Sequence, residues 1–184
     1  HKVTAIDYSD EMTAQAAKRF KEAGAEVLVR QMDAQKLEFA DESFDVIVSR
    51  NLTWNLEKPD MAYSEWTRVL KKGGLLLNFD ANWYGYLYDE EKRMAYEKDR
   101  ENVERSQLDD HYLCTDIDRM EEIAKKVPLS AKNRPGWDVE VLKEIGFAEI
   151  RTDESIWQSV WSEEERLNYA STPMFLVSGQ KGEK

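Results

Sequence analysis

The sequence is poor in the residues that build disulfide, metal and nucleic-acid chemistry. It has one cysteine, Cys114, which excludes an internal disulfide. With no CxxC motif and two histidines, one of them at position 1, it offers no spacing for a metal site. Positive charge is also scarce: 26 Lys and Arg stand against 37 Asp and Glu, a net charge of -11. No basic run interleaved with aromatics offsets that balance, which weighs against a nucleic-acid partner. The longest apolar runs, such as 75–77 and 46–48, are far too short to span a bilayer, and no signal-peptide pattern opens the chain. The expectation is a soluble, cytoplasmic protein without membrane association. The four prolines and eight glycines form no linker, and there is no repeat or low-complexity stretch, so residues 1–184 are expected to form one domain.

The hydrophobic residues, 41% of the chain, fall into alternating blocks. A short apolar run, 3–6, ends at Asp7, and Ser9 is placed to cap a helix with Met12, Ala16, Phe20 and Ala23 on one side and Gly24 at its end. Residues 25–30, 44–49 and 74–79 read as strands, nearly continuous in apolar character, as expected of a parallel sheet covered on both faces. Between the last two, Pro59 opens a helix carrying Ala62, Trp66, Val69 and Leu70 on one face, with Lys71, Lys72 and Gly73 closing it. The rhythm breaks at 83–134, where a charged stretch, 90–105, and an amphipathic one, 116–127, suggest a helical insertion acting as a lid. It returns with a helix N-capped by Asp138, a strand at 147–152 and a last strand at 172–181. The expected fold is α/β, a Rossmann-like, doubly wound, mostly parallel sheet, with ligands bound at the carboxyl ends of the strands.

Three blocks in order, VTAIDYSDEM, MDAQKLEFADESFDVIVSR and RVLKKGGLLLNFD, resemble class I S-adenosylmethionine-dependent methyltransferases of the small-molecule, type 11-like kind. The resemblance implies S-adenosylmethionine as cofactor, S-adenosylhomocysteine as its product, and a small-molecule methyl acceptor. It implies that Asp7 grips the ribose hydroxyls, with Tyr8 beside it. Asp33, with Ala34 and Gln35, would meet the adenine amino group, and Met12 would lie against the adenine, unless Met12 is simply core. Ser49, Arg50 and Asn51 fall where such proteins meet the methionine end of the cofactor. Trp54, Asp80, Asn82, Trp83, Tyr84 and Tyr86 are the substrate-pocket candidates, the last five just past a strand end. Asp80, His111 and Tyr84 are the candidate bases. The tetrad of amino-methylating DNA enzymes is replaced by SRNLTWN.

The family's first strand and glycine-rich loop are not found ahead of Val3, and Gly73-Gly74 cannot replace that loop because they leave a helix and enter a strand. In the family's sheet that strand lies between those ending at Asp7 and Ser49, so its absence should split the sheet at its centre. A longer parent protein, a second chain or re-pairing of the remaining strands would each answer this, and the open edge offers a route to a homo-oligomer. Two other functions fit parts of the pattern. A nicotinamide-dependent oxidoreductase shares the strand-terminal acid but not the later blocks. A non-catalytic methyltransferase-like binding or assembly module would use the open strands for docking.

Overall fold

The computed structural model describes residues 1–113 and 115–183; the expectation for Cys114 falls outside them. Strand β1 (Val3–Asp7), helix α1 (Asp10–Glu22) and strand β2 (Val27–Gln31) are followed by β3 (Phe44–Arg50), α2 (Pro59–Val69) and β4 (Leu70–Asp80). Then come α3 (Glu90–Glu104), α4 (Ile117–Ala124), α5 (Gly136–Glu144), β5 (Phe147–Asp153), the short α6 (Trp157–Val160) and α7 (Glu163–Asn168), and β6 (Phe175–Lys181). No helix among the described residues is long and apolar enough to cross a membrane.

The strands form a two-stranded sheet, β1-β2, and a four-stranded sheet in the order β3-β4-β6-β5. β1 pairs with β2 and β3 with β4 in parallel, while β6 runs antiparallel to both its neighbours. β1 and β3 do not pair with each other, so the described strands leave the centre divided rather than re-pairing across it. Both units nevertheless share one core. Met32, Ala34 and Leu37, just after β2, pack with Ala62, Tyr63 and Trp66 of α2, and Ile6 of β1 lies against the same cluster.

Local chemistry explains most boundaries. Ser9 caps α1 by accepting from the Met12 amide at 3.2 Å, and Gly24 takes φ +65° beyond its end. The apolar side of α1, however, contributes no buried residue, and Met12 is 51% exposed, so core packing does not account for it. At the end of α2 the expectation needs correction: the helix stops at Val69, and Lys71 to Gly73 already belong to β4. The pairing jumps from Phe44↔Leu70 to Val46↔Leu75, a bulge that only glycine accommodates. Gly73 sits at φ +71°, and a Cβ on Gly74 would lie 2.8 Å from the Lys71 carbonyl oxygen. Asp138 is likewise not an N-cap. It lies inside α5, whose N-cap is Pro135, and is fully buried.

The loop leaving β2 is fastened by Arg68 of α2. Its guanidinium donates to the carbonyls of Leu37 at 2.9 Å and Phe39 at 2.8 Å, to Asp41 at 2.8 Å, and to both oxygens of Glu65 at 2.8 Å, while Glu65 also accepts from the Leu37 amide at 2.8 Å. The hydrogen bond from Arg68, more than the opposing burial, holds the Glu65 carboxyl below its ordinary value of 4.5. A depressed carboxylate stabilises the fold above its unfolded value and loses that contribution as pH falls through the folded one. Arg68→Lys cannot reproduce the fork. It should lower unfolding free energy by about 1–2 kcal/mol at neutral pH, discounted for partial exposure. Urea titrations of both proteins should show the gap narrowing as pH drops below 4.5.

Candidate active site

Beneath the carboxyl end of β4 lies a buried polar network. Asp80 Oδ1 accepts from the Ala81 amide at 2.9 Å; Oδ2 accepts from the Trp54 amide at 2.8 Å, from Arg134 Nη1 at 2.8 Å and from the Thr53 hydroxyl. Arg134 turns its other edge to Asp138, at 2.9 Å from Nε and 2.8 Å from Nη2, and Nη2 also reaches Thr53 Oγ1 at 2.7 Å. Tyr63 donates to Asp138 at 2.6 Å and accepts from Asn78 at 2.8 Å. Asp80, Asp138, Tyr63, Asn78 and Thr53 are all fully buried. Burial and the Asp138 carboxylate push the Tyr63 phenol well above its ordinary value. Burial alone would lower the pKa of Arg134, but Asp80 and Asp138 outweigh it and raise it.

On this floor stands a cleft of about 390 Å³, within the size range of small-molecule sites. Asn51 and Trp54 come from the loop after β3, and Trp83 and Tyr84 from the loop after β4. Asn51 follows β3 in the left-handed region at φ +53°, which asparagine tolerates better than most residues. Tyr112 and His111 come from the segment between α3 and α4, and Trp161, Glu165 and Tyr169 from the α6–α7 region. Arg100 of α3 ties these walls together, donating to Asp110 at 2.9 Å and to the Asn168 carbonyl, with its Cζ 4.1 Å from the Tyr112 ring centroid. Arg50, at the end of β3, bonds Glu165 at 3.1 Å.

His111 is held at both ring nitrogens: Nδ1 lies 2.8 Å from the Tyr169 hydroxyl and Nε2 is hydrogen-bonded to Glu164. Burial raises the Tyr169 phenol, which therefore keeps its proton near neutrality. In a neutral ring, the tautomer that satisfies both partners has Tyr169 O–H donating to Nδ1 and Nε2–H donating to the Glu164 carboxylate. Burial pushes Tyr84 up to about 12, so it too stays a neutral hydrogen-bond donor.

Of the cofactor candidates, Asp7, Tyr8, Asp33, Ala34 and Gln35 lie at or just past the ends of β1 and β2, Met12 lies on α1, and Ser49, Arg50 and Asn51 lie at the end of β3. Asp7 is exposed; its Oδ1 accepts from the Ser9 amide at 2.9 Å, and Oδ2 takes no hydrogen bond among the described residues. The Met32 amide donates to the Asp7 carbonyl at 2.9 Å, and Gln31 Nε2 donates to the Tyr8 carbonyl at 2.9 Å, so both strand ends are joined there. Asp33 Oδ1 takes the Gln35 amide at 2.8 Å and side chain at 3.1 Å. Gln35 in turn accepts from the Lys58 amide at 2.7 Å, and the Ala34 carbonyl accepts from Trp66 at 3.0 Å, which fixes this turn on α2. Ser49 Oγ is buried without a partner among the described residues.

Trp54, Trp83, Tyr84, Asn51 and His111 therefore meet around one cleft as a group. Asn82 and Tyr86 instead line a separate cavity of about 180 Å³, with Asn82 donating to the Arg134 carbonyl at 2.8 Å and Tyr86 stacked on Tyr96 at 4.1 Å. Asp80 needs correction as a base, because both its oxygens are engaged in the floor and it reaches no solvent. Tyr112, Trp161, Glu165 and Tyr169 were not among the expected site residues. The one signal for the last three is the aromatic density of 157–169 between two strands, while Tyr112 adjoins His111 in the chain.

Residues 1–78 match the family described as "Methyltransferase domain". A phosphatidylethanolamine N-methyltransferase of Cereibacter sphaeroides is 41% identical over 97 residues, 50% of this chain and 48% of that protein. A ubiquinone/menaquinone biosynthesis C-methyltransferase UbiE of Bdellovibrio bacteriovorus is 35% identical over 75 residues, 41% of this chain and 32% of that protein. The chain thus spans about half the length, or less, of these relatives. Among solved structures, Haemonchus contortus phosphoethanolamine N-methyltransferase 2, in complex with S-adenosyl-L-methionine, superposes with a TM-score of 0.63 at 19% identity. That match covers 99% of this chain and 44% of the other, and at this identity it shows a shared fold.

Removing Arg134 leaves two carboxylates facing each other without water. Arg134→Ala should cost about 3–5 kcal/mol, read as a fall in the urea midpoint. Asp80→Asn should cost less, because an amide keeps one acceptor without an unpaired charge. A larger loss for Asp80→Asn would show that Asp80, not the guanidinium, organises the floor.

Proposed function

We propose that this chain, whose residues 1–78 match a methyltransferase domain, acts as a class I S-adenosylmethionine-dependent methyltransferase that transfers a methyl group to a small molecule held in the aromatic cleft. The observation that carries this reading is the pair of carboxylates, Asp7 and Asp33, at the ends of adjacent parallel strands within the matched segment. The cofactor's ribose hydroxyls and adenine amino group are donors, and an exposed strand-end carboxylate with a free oxygen is the acceptor they need. Ser49, with its unpartnered hydroxyl, stands at the end of β3 on the way to the cleft.

When bound, S-adenosylmethionine supplies an electrophilic methyl group on a sulfonium. The protein's task is then to align the acceptor, strip its water and take away any proton it loses. Alignment can supply about 7–11 kcal/mol. Trp54, Tyr84 and Trp83 wall the acceptor, and the Asp80–Arg134 floor fixes the turn that presents Trp54. The proton leaves through Tyr169 to His111 Nδ1, with Glu164 stabilising the imidazolium that results. Asp80 and Tyr84 take no part as bases.

Calorimetric titration with S-adenosylhomocysteine tests the reading. The chain should bind it, and Asp7→Ala should weaken binding about 10-fold or more, the loss of a charge-assisted hydrogen-bond pair. Absence of binding, or equal affinity of the two proteins, would sink the methyltransferase reading and favour a binding module that docks through its open strand edges.

A further inference from the structure

One of the relatives is named for methylating nitrogen and another for methylating carbon, so the acceptor atom has to come from the cleft itself. Six aromatic side chains line it: Trp54, Trp83, Tyr84, Tyr112, Trp161 and Tyr169. Tyr169 is the hub, with ring centroids 5.2 Å from Trp83, 5.9 Å from Trp161 and 6.0 Å from Tyr112, at interplanar angles of 80°, 56° and 64°. A flat ring stacks between parallel faces. At these distances the rings touch one another and form one wall, which turns edges and faces toward the cleft in several directions and offers a flat ring no pair of parallel faces. The ring of Tyr112 already has a cation over it, Arg100 at 4.1 Å, an interaction the other rings of the cleft could offer to a ligand.

The charges agree with the shape. No Lys or Arg is among the described residues that line the cleft, whereas Glu165 is, and Glu164 stands behind His111. Of the guanidiniums behind its walls, Arg50 is turned onto Glu165 and Arg100 onto Asp110. An anionic acceptor would meet Glu165 and no lining Lys or Arg among the described residues, while a cation would meet the electron-rich ring faces with no like charge on the lining. We infer that the cleft is an aromatic cage for an alkylammonium group and that the methyl acceptor is an amine, an assignment that rests on the methyltransferase reading above. In the transfer, the lone pair of the free amine forms the new nitrogen–carbon bond. The methyl–sulfur bond breaks with its electron pair left on sulfur, and the nitrogen's proton passes to the Tyr169–His111 chain. Each added methyl makes the ammonium less hydrated and better matched to the cage.

The test uses choline and its uncharged tert-butyl analogue, in which carbon replaces the ammonium nitrogen, titrated into the full 184-residue chain. Trp54, Trp83 and Trp161 provide a fluorescence signal from within the cleft. Choline should bind about 10-fold or more tightly than the neutral analogue. Trp54→Leu and Tyr84→Leu, each checked for folding by circular dichroism, should remove most of that preference. Equal binding of the two probes, or a preference that survives both substitutions, overturns the cage, as does tighter binding of a neutral planar naphthoquinone. S-adenosylhomocysteine binding without ammonium preference would reject the cage and leave methyl transfer standing. The converse result would keep the cage and reject methyl transfer.

Discussion

A single guanidinium between two buried carboxylates sets the geometry on which the candidate site depends. Arg134 joins Asp80 at the end of β4 to Asp138 in α5, and through them reaches Thr53 in the turn after β3 and Tyr63 in α2. Two carboxylates and one guanidinium leave an excess negative charge in a dry interior, a costly arrangement unless neutral donors spread it. Here the Tyr63 and Thr53 hydroxyls and the Trp54 and Ala81 amides all point at those carboxylates, and both oxygens of each are engaged. Buried polar groups satisfied this completely favour one arrangement of the chain over its neighbours. Asn78 Oδ1 is the one carboxamide oxygen in the cluster left without a partner among the described residues.

The cleft inherits an asymmetry from this floor. The side formed by Trp54 and the start of the 81–84 segment is tied to charges that no solvent reaches. The opposite side, from the segment after α3 and from α7, is held by Arg100 and by the exposed Arg50–Glu165 pair. Half-exposed ion pairs are worth little and are screened by salt. What anchors this wall is instead buried: Asn168 accepts from the His111 amide at 3.1 Å and donates to the Asp109 carbonyl at 2.9 Å, and Asp99 accepts from the Ser171 amide at 2.7 Å.

What the sequence made legible, and what it hid, divides along contact distance. Asp7, Ser9 and Pro59 declare themselves within a few residues, since a cap, a strand end and a first helical turn are local events. The floor could not be read this way. Arg134 meets Asp80 across 54 positions, and nothing near either residue announces the other. Asp138, three positions beyond a proline, had every local attribute of an N-cap, and only its burial against Arg134 and Tyr63 shows another use. Likewise Lys71 to Gly73 suit a helix end until the register shift with β3 reveals a bulge. Tyr169 and Trp161 became site residues because β5 and β6 pair antiparallel, which brings the segment between them back over the end of β4.

The divided sheet bears most directly on how tightly a cofactor can be held. Asp7 and Asp33 sit on a unit whose helix buries nothing, and its attachment to the rest runs through Met32, Ala34 and Leu37 on α2 and through the Arg68 clamp. Meanwhile Val46 and Val48 of β3 are exposed at 48% and 63%, and the free edges of β1 and β3 present unpaired backbone groups. Such edges take up a strand readily, whether from a second copy or from another segment. A strand bound there would lie against the same β1 that carries Asp7, and any factor by which it changed the affinity for a ligand of Asp7 would apply in reverse to its own binding. The candidate carboxylates Asp7 and Asp33 thus share their unit with an open sheet edge, whereas the aromatic cleft is built on the β3-β4-β6-β5 sheet and its buried floor.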